Sequence, residues 1–226
     1  MMSMSELTLI QQITVWALPV LFAITLHEVA HGWVADKLGD PSAKMLGRLT
    51  LNPIKHIDPI GTVVVPIVLV VASSMSGMGT FMFGWAKPVP VNPNNFKSPA
   101  RDMAWVAIAG PASNLIMAII WGLILKIGFM LQAGSPDIAQ FLIYSGVAGV
   151  SINLILCVLN LLPIPPLDGS RVLSAFLPAK LAWQFNRISP YGFFILLGLM
   201  FSGLLMPLIM GPYNIFKDVI FALVGL

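Results

Sequence analysis

The sequence has one cysteine, three histidines and two glutamates, and only 9% of its 226 residues are charged. Each scarcity excludes something. A lone Cys157 rules out an internal disulfide and leaves the redox compartment unmarked. A soluble domain carries about 25% charged residues, so this chain lacks the polar surface to meet water on all sides. With 58% hydrophobic residues and a mean hydropathy of +0.90, it reads as an all-α polytopic membrane protein, a single domain over residues 1–226. The opening MMSMSELTLIQQITVW has neither a basic stretch nor a small-residue cleavage site, so the first apolar segment is expected to be retained. Repeats, low-complexity tracts and Gly/Ser linkers are also missing.

What is present is a series of apolar runs. A spanning helix needs about 20 apolar residues. Runs at 9–35, 103–131, 138–162 and 190–210 meet that length, whereas 213–226 is short and carries Lys217 and Asp218. The run at 60–85 is broken by SSMSGMG and by Pro66. Five to six membrane segments are therefore expected. Lys and Arg cluster at 37–55, 87–101 and 171–187, while 1–8 and 132–137 have none. Basic loops favour the cytoplasmic side. That places the N-terminus outside, provided that 60–85 enters and returns on one side. One ordinary span there is the alternative. GRLTLNP (47–53) and WAKPVPVNP (85–93) look extended, and their prolines exclude helix interiors. They are expected to form a small β element on the cytoplasmic side, the second segment as an edge strand.

The rare ionisable residues are not scattered. HEVAH places His27, Glu28 and His31 inside the first apolar run, where such side chains are costly and usually functional. On a helix, residues four apart share a face. Two imidazoles so placed can hold one zinc ion, and the intervening glutamate can act as general base. The bland reading is a helix end with hydrogen-bonded polar groups. A catalytic zinc takes a third protein ligand. His56 is read as an interfacial residue. The better candidate is Asp168 in NLLPIPPLDGSR, directly after the run at 138–162. Pro163, Pro165 and Pro166 forbid regular helix there, and irregular backbone at membrane depth belongs next to protein or a wet cavity. Gly169 permits a tight turn. A plain turn at LDG is the competing reading. The thirteen methionines show no clustered Met-x-x-Met spacing and are read as packing residues.

HEVAH, GWAKPVPVN, AGPASNL and NLLPIPPLDG together resemble the site-2 protease family of intramembrane zinc metalloproteases, over roughly residues 20–175. The resemblance implies that His27, His31 and Asp168 bind one Zn2+ per chain and that Glu28 is the catalytic base. It also implies a site open to the cytoplasmic side and regulated intramembrane proteolysis as the setting. No insert is long enough for a PDZ domain, so the chain resembles the compact, core-only branch. The expected function is an intramembrane metalloendopeptidase acting within or near transmembrane segments. Its expected partners are a transmembrane protein or peptide substrate and the lipid bilayer, with no nucleic acid. The expected location is a bacterial or archaeal cytoplasmic membrane. A homo-oligomer or an accessory membrane protein is left open.

Further positions follow from the chemistry. A helical substrate must unwind locally before its carbonyl can be attacked, and a strand edge could hold the unwound chain by β-addition. Lys87, Pro88 and Val89 are the candidates; an ordinary interfacial loop is the alternative. Asn114, Asn153 and Asn160 are polar groups in apolar runs. They could orient ligands or bind substrate backbone, or join helices; Asn160, sharing the aspartate's motif, is favoured for the site. Two other classes were weighed. A metal transporter would need ionisable residues through the full depth, and outside the motif only Lys126 stands in the outer half of a run. A catalytically silent adaptor would have lost Glu28 or a ligand, and neither is lost.

Overall fold

A computed structural model describes residues 7–65, 67, 68 and 84–226. Four of its helices are long and apolar enough to cross a membrane: α1 (Leu9–Lys37), α3 (Pro99–Leu131), α4 (Pro136–Leu161) and α8 (Leu205–Val224). Between them lie α2 (Ser42–Met45), α5 (Asp168–Phe176), α6 (Ala179–Asn186) and α7 (Gly192–Phe201). The boundaries follow from local chemistry. Thr8 caps α1 in a reciprocal box with Gln11, which satisfies donors the helix leaves open. Pro99 and Pro136 stand in the first turns of α3 and α4, where no helical N–H is lost.

The fourth crossing differs from the expected run at 190–210. That run divides: α7 has ten residues, about 15 Å at 1.5 Å per residue, too short to span. Gly203, at φ +74°, takes the left-handed conformation between α7 and α8, which glycine adopts without steric penalty. The fourth helix of membrane-crossing length is α8, which continues through Pro212 to Val224. The run at 213–226 is its second half.

The small β element is not formed: the described residues contain no strand. Residues 47–52 are mostly turns and bends, and 84–92 has no regular secondary structure. The prolines at 88, 90 and 93 explain this, because each removes a ladder donor. The donors that remain go to separate partners: Trp85 N–H to the Gly61 carbonyl and Lys87 N–H to that of His56. The expected re-entrant segment falls largely on residues 66 and 69–83, outside the described residues; its start, Pro59–Val64, is a wide π turn capped by Asp58.

Packing centres on α3 and α4. A Cβ on Gly149 would enter the Trp121 ring, and one on Gly146 would meet Leu125 at 2.7 Å. Small residues of this kind let helices approach closely where lipid offers no hydrophobic drive. Ala118, Trp121, Val150, Leu154, Ile220 and Val224 form the buried cluster that adds α8 to this pair. Lys126 of α3 donates to the Val224 carbonyl at 2.7 Å, placing a cation at the negative end of α8.

A buried carboxylate ties the extended segment to the end of α1. Asp40 is fully buried. Its Oδ1 accepts from the Ser42 hydroxyl and the Asn95 amide, at 2.5 and 2.6 Å, and its Oδ2 from Asn92 N–H at 2.7 Å. Burial alone would raise the carboxyl pKa. The hydrogen bonds from Ser42, Asn92 and Asn95 outweigh it and hold the group below the usual carboxylate range. A depressed folded-state pKa contributes stability above the unfolded value of about 3.9 that is lost as pH falls through the folded value. Asp40→Asn should therefore lower stability at pH 7 by about 1–3 kcal/mol. Thermal unfolding in detergent should also show a smaller loss of stability below pH 4 for the variant than for the parent.

Candidate metal centre

α1 carries His27 and His31 one turn apart, both buried. α5 begins with Asp168, also buried, delivered by the irregular chain after α4. The two Nε2 atoms lie 3.0 Å apart, and each is 3.2 Å from Asp168 Oδ2. Three ligand atoms of two types thus converge: the structure brings together all three of the sequence-derived metal candidates. Tetrahedral zinc with bonds of about 2.0–2.1 Å separates its ligand atoms by about 3.3 Å, close to these spacings.

The outer faces of the rings fix their chemistry. His27 Nδ1 lies 2.7 Å from Asn114 Oδ1, and His31 Nδ1 lies 2.7 Å from the Val106 carbonyl oxygen. Both partners accept, so each Nδ1 carries the hydrogen and donates it. In the neutral form that a metal takes, each ring then presents a bare Nε2 inward. Asp168 Oδ2 is buried with no hydrogen-bond donor. Three lone-pair atoms facing one another without a proton suit a cation, and the donor set of two imidazoles and a carboxylate suits zinc. Asn114 is itself held: its amide donates to the Ala23 carbonyl and to Asn153 Oδ1, and the Asn153 amide donates to the Gly149 carbonyl. This chain runs from α1 through α3 to α4 and fixes which way the Asn114 oxygen points.

Glu28 is half-buried, and its Oε2 accepts from Val89 N–H at 2.8 Å. The Lys87 carbonyl accepts from Arg48 Nη2 at 2.7 Å. Pro88 lies between these two anchored residues, so the segment 87–89 runs beside Glu28. Asn160 directs its amide to the Leu156 carbonyl in its own helix, and among the described residues no hydrogen bond joins it to the three ligands. His56 is buried in the turn before residue 57, bonded to the Thr50 carbonyl.

Two glycines matter in ways the motifs did not announce. A Cβ on Gly110 would approach His31 Nε2 to 2.5 Å and His27 Cε1 to 2.6 Å, so only a glycine lets α3 pass the imidazole pair. Gly169 is not in a left-handed turn. A Cβ there would collide with the Leu161 carbonyl, so its role is close approach of α5 to the end of α4. The AGPASN string drew attention to Asn114, but the steric meaning of its glycine needed the neighbouring rings. Gly110→Ala should lose most bound metal in elemental analysis of the purified protein, whereas Gly134→Ala, which meets nothing within 4 Å, should keep it. Asn114→Ala should weaken metal affinity by about 10–100-fold, measured by competition with a chelator.

Comparison with known proteins gives the same chemistry. The family model described as Peptidase family M50 matches residues 130–201. A Bacillus subtilis (strain 168) protein named "Putative zinc metalloprotease YwhC" is 42% identical over 183 residues, covering 79% of this chain and 76% of that one. "Putative zinc metalloprotease Rip2" of Mycolicibacterium smegmatis is 31% identical over 183 residues, covering 80% of this chain and 64% of that one. A Methanocaldococcus jannaschii relative, "Putative zinc metalloprotease MJ0611", is 38% identical over 68 residues, covering 30% and 31%. No solved structure matches the chain. With four membrane-length helices and these relatives, the chain belongs to peptidase family M50 and is an integral-membrane zinc metalloprotease.

Proposed function

We propose that the chain is an endopeptidase cutting peptide bonds within or near transmembrane segments, with its site open to the cytoplasmic side. The observation that carries this reading is the convergence of His27, His31 and Asp168 within 3.2 Å, in apolar helices, with Glu28 adjacent in sequence. The three residues would hold a zinc ion, which would supply Lewis acidity to the attacking water and the scissile carbonyl.

Glu28 is turned about 100° around α1 from His27. It therefore faces the reacting water rather than the metal. Its Oε2 is held by Val89 N–H, and Oε1 is the oxygen left to take a proton. The water oxygen adds to the carbonyl carbon as Glu28 accepts that proton. Glu28 then gives the proton to the amide nitrogen as the carbon–nitrogen bond breaks. Asn114 and the Val106 carbonyl keep both imidazoles oriented throughout. The unwound substrate passes beside Lys87, Pro88 and Val89, which flank the base, without a ladder to their N–H groups, which are engaged or absent.

The transporter reading loses its main outer-half residue, because Lys126 is engaged on the Val224 carbonyl. Orientation follows the basic loops. Cysteines replacing Lys44, Lys97 or Lys180, in a Cys157→Ala background, should resist an external membrane-impermeant thiol reagent in intact cells. Labelling of the cysteine at 97 but not of that at 44 would reverse part of the topology. Glu28→Gln keeps size and hydrogen bonding but cannot accept the proton. It should retain zinc while cleavage of a transmembrane peptide falls by about 10²–10⁴ or more, read by mass spectrometry of the products. Near-parental cleavage by this variant would overturn the mechanism.

A further inference from the structure

α5 and α6 are short, and α6 has no buried residue. Their sequences are nevertheless amphipathic. Val172, Leu173 and Phe176 share one face of α5, opposite Ser170, Ser174 and Arg171. On α6, Leu181, Ala182 and Phe185 share one face, opposite Lys180, Gln184 and Arg187. Part of these faces is uncovered: Phe176 is 82% exposed and Leu181 51%, and Trp183, on the polar side of α6, is 60% exposed. Water would not hold such helices in place.

Three observations point to what does. From Gly169 to Phe216 the sequence holds Arg171, Lys180 and Arg187 and no acidic residue. Arg187 lies over the Trp183 ring at 4.8 Å, and Tyr191, 65% exposed, follows at the end of the segment. Amphipathic aromatic rings of this kind collect at headgroup depth. Finally, a recess of about 480 Å³ opens between the start of α3 and the α5–α6 pair, lined by Pro99, Ala100, Met103, Arg171, Ala182 and Asn186. The segment also lies between the end of the crossing helix α4 and the apolar helix α7, so it is continuous with the bilayer-facing surface.

We propose that α5 and α6 lie in the headgroup layer and bind anionic phospholipid. Phe176 and Leu181 enter the upper acyl region, and Trp183, on the Arg187 side of α6, lies at headgroup depth. Arg171, Lys180 and Arg187 meet the headgroup phosphates, and Arg171 reaches one seated in the recess. This is the geometry of an in-plane amphipathic anchor, and basic residues near an anionic surface favour that lipid. The proposal concerns a surface and is independent of proteolysis.

The test uses the full chain, reconstituted in phosphatidylcholine bilayers, with Ala179→Cys carrying a bimane fluorophore in a Cys157→Ala background. Brominated phosphatidylcholine or brominated phosphatidylglycerol is added as quencher. Both should quench, and phosphatidylglycerol should show a roughly threefold or greater preference, reduced at high salt. The Arg171→Gln, Lys180→Gln, Arg187→Gln triple variant should bring the preference to near unity while keeping its zinc. The labelled protein with native charges decides the matter even if the triple variant fails to fold. No quenching by either lipid would overturn the proposal and show that protein covers this face. Equal quenching by both would overturn the anionic preference.

Discussion

The architecture depends on one electrostatic constraint: three electron-pair donors, one of them a carboxylate, held within 3.2 Å of each other in buried surroundings. An ion left unpaired at such a place costs several kcal/mol even after relaxation. A divalent cation turns that penalty into a binding site. Much else in the chain can be understood as what makes the arrangement reachable. The Asn114–Asn153 relay sets the His27 ring, the Val106 carbonyl sets the His31 ring, and Gly110 leaves room for both. The polar groups in this relay are each satisfied, as buried groups must be where water is scarce.

Glu28, the proposed base, depends on a different part of the chain. Its Oε2 is held by a backbone N–H of the extended segment, and that segment is held in turn by side chains. Asp40 grips Asn92 and Asn95, and Arg48 grips Lys87. A Cβ on Gly32 would press on Leu49, Val89 and Ala43, so the segment also lies flush against α1. Substrate specificity in this reading belongs to a loop without its own ladder, whose shape is set by carboxylate and guanidinium contacts at either end.

The candidate ligand cluster was legible because its residue types are so few: two of three histidines stand around one of two glutamates. Long apolar runs announced α1, α3 and α4 for the same reason, since length and composition suffice for a span. The sequence misled where one residue's backbone decides. A left-handed Gly203 moved the fourth crossing downstream, although nothing in the hydropathy of 190–226 marks that point. The extended look of 47–53 and 85–93 did not become strand in either segment, because prolines left too few donors for a sheet. Gly110 and Gly169 were invisible as steric allowances, because what they accommodate comes from distant parts of the chain. Glu28's partner was equally hidden, since a backbone N–H has no signature in a string of letters.

The first turn of α7 touches both halves of this machinery. A Cβ on Gly192 would collide with the Pro165 carbonyl, in the chain that delivers Asp168. Its neighbour Phe193 meets the Trp85 ring edge-on at 6.1 Å, at the head of the segment that holds Glu28. One helix turn thus touches both the chain that delivers Asp168 and the segment whose Val89 N–H reaches Glu28, so a tilt of α7 would press on both.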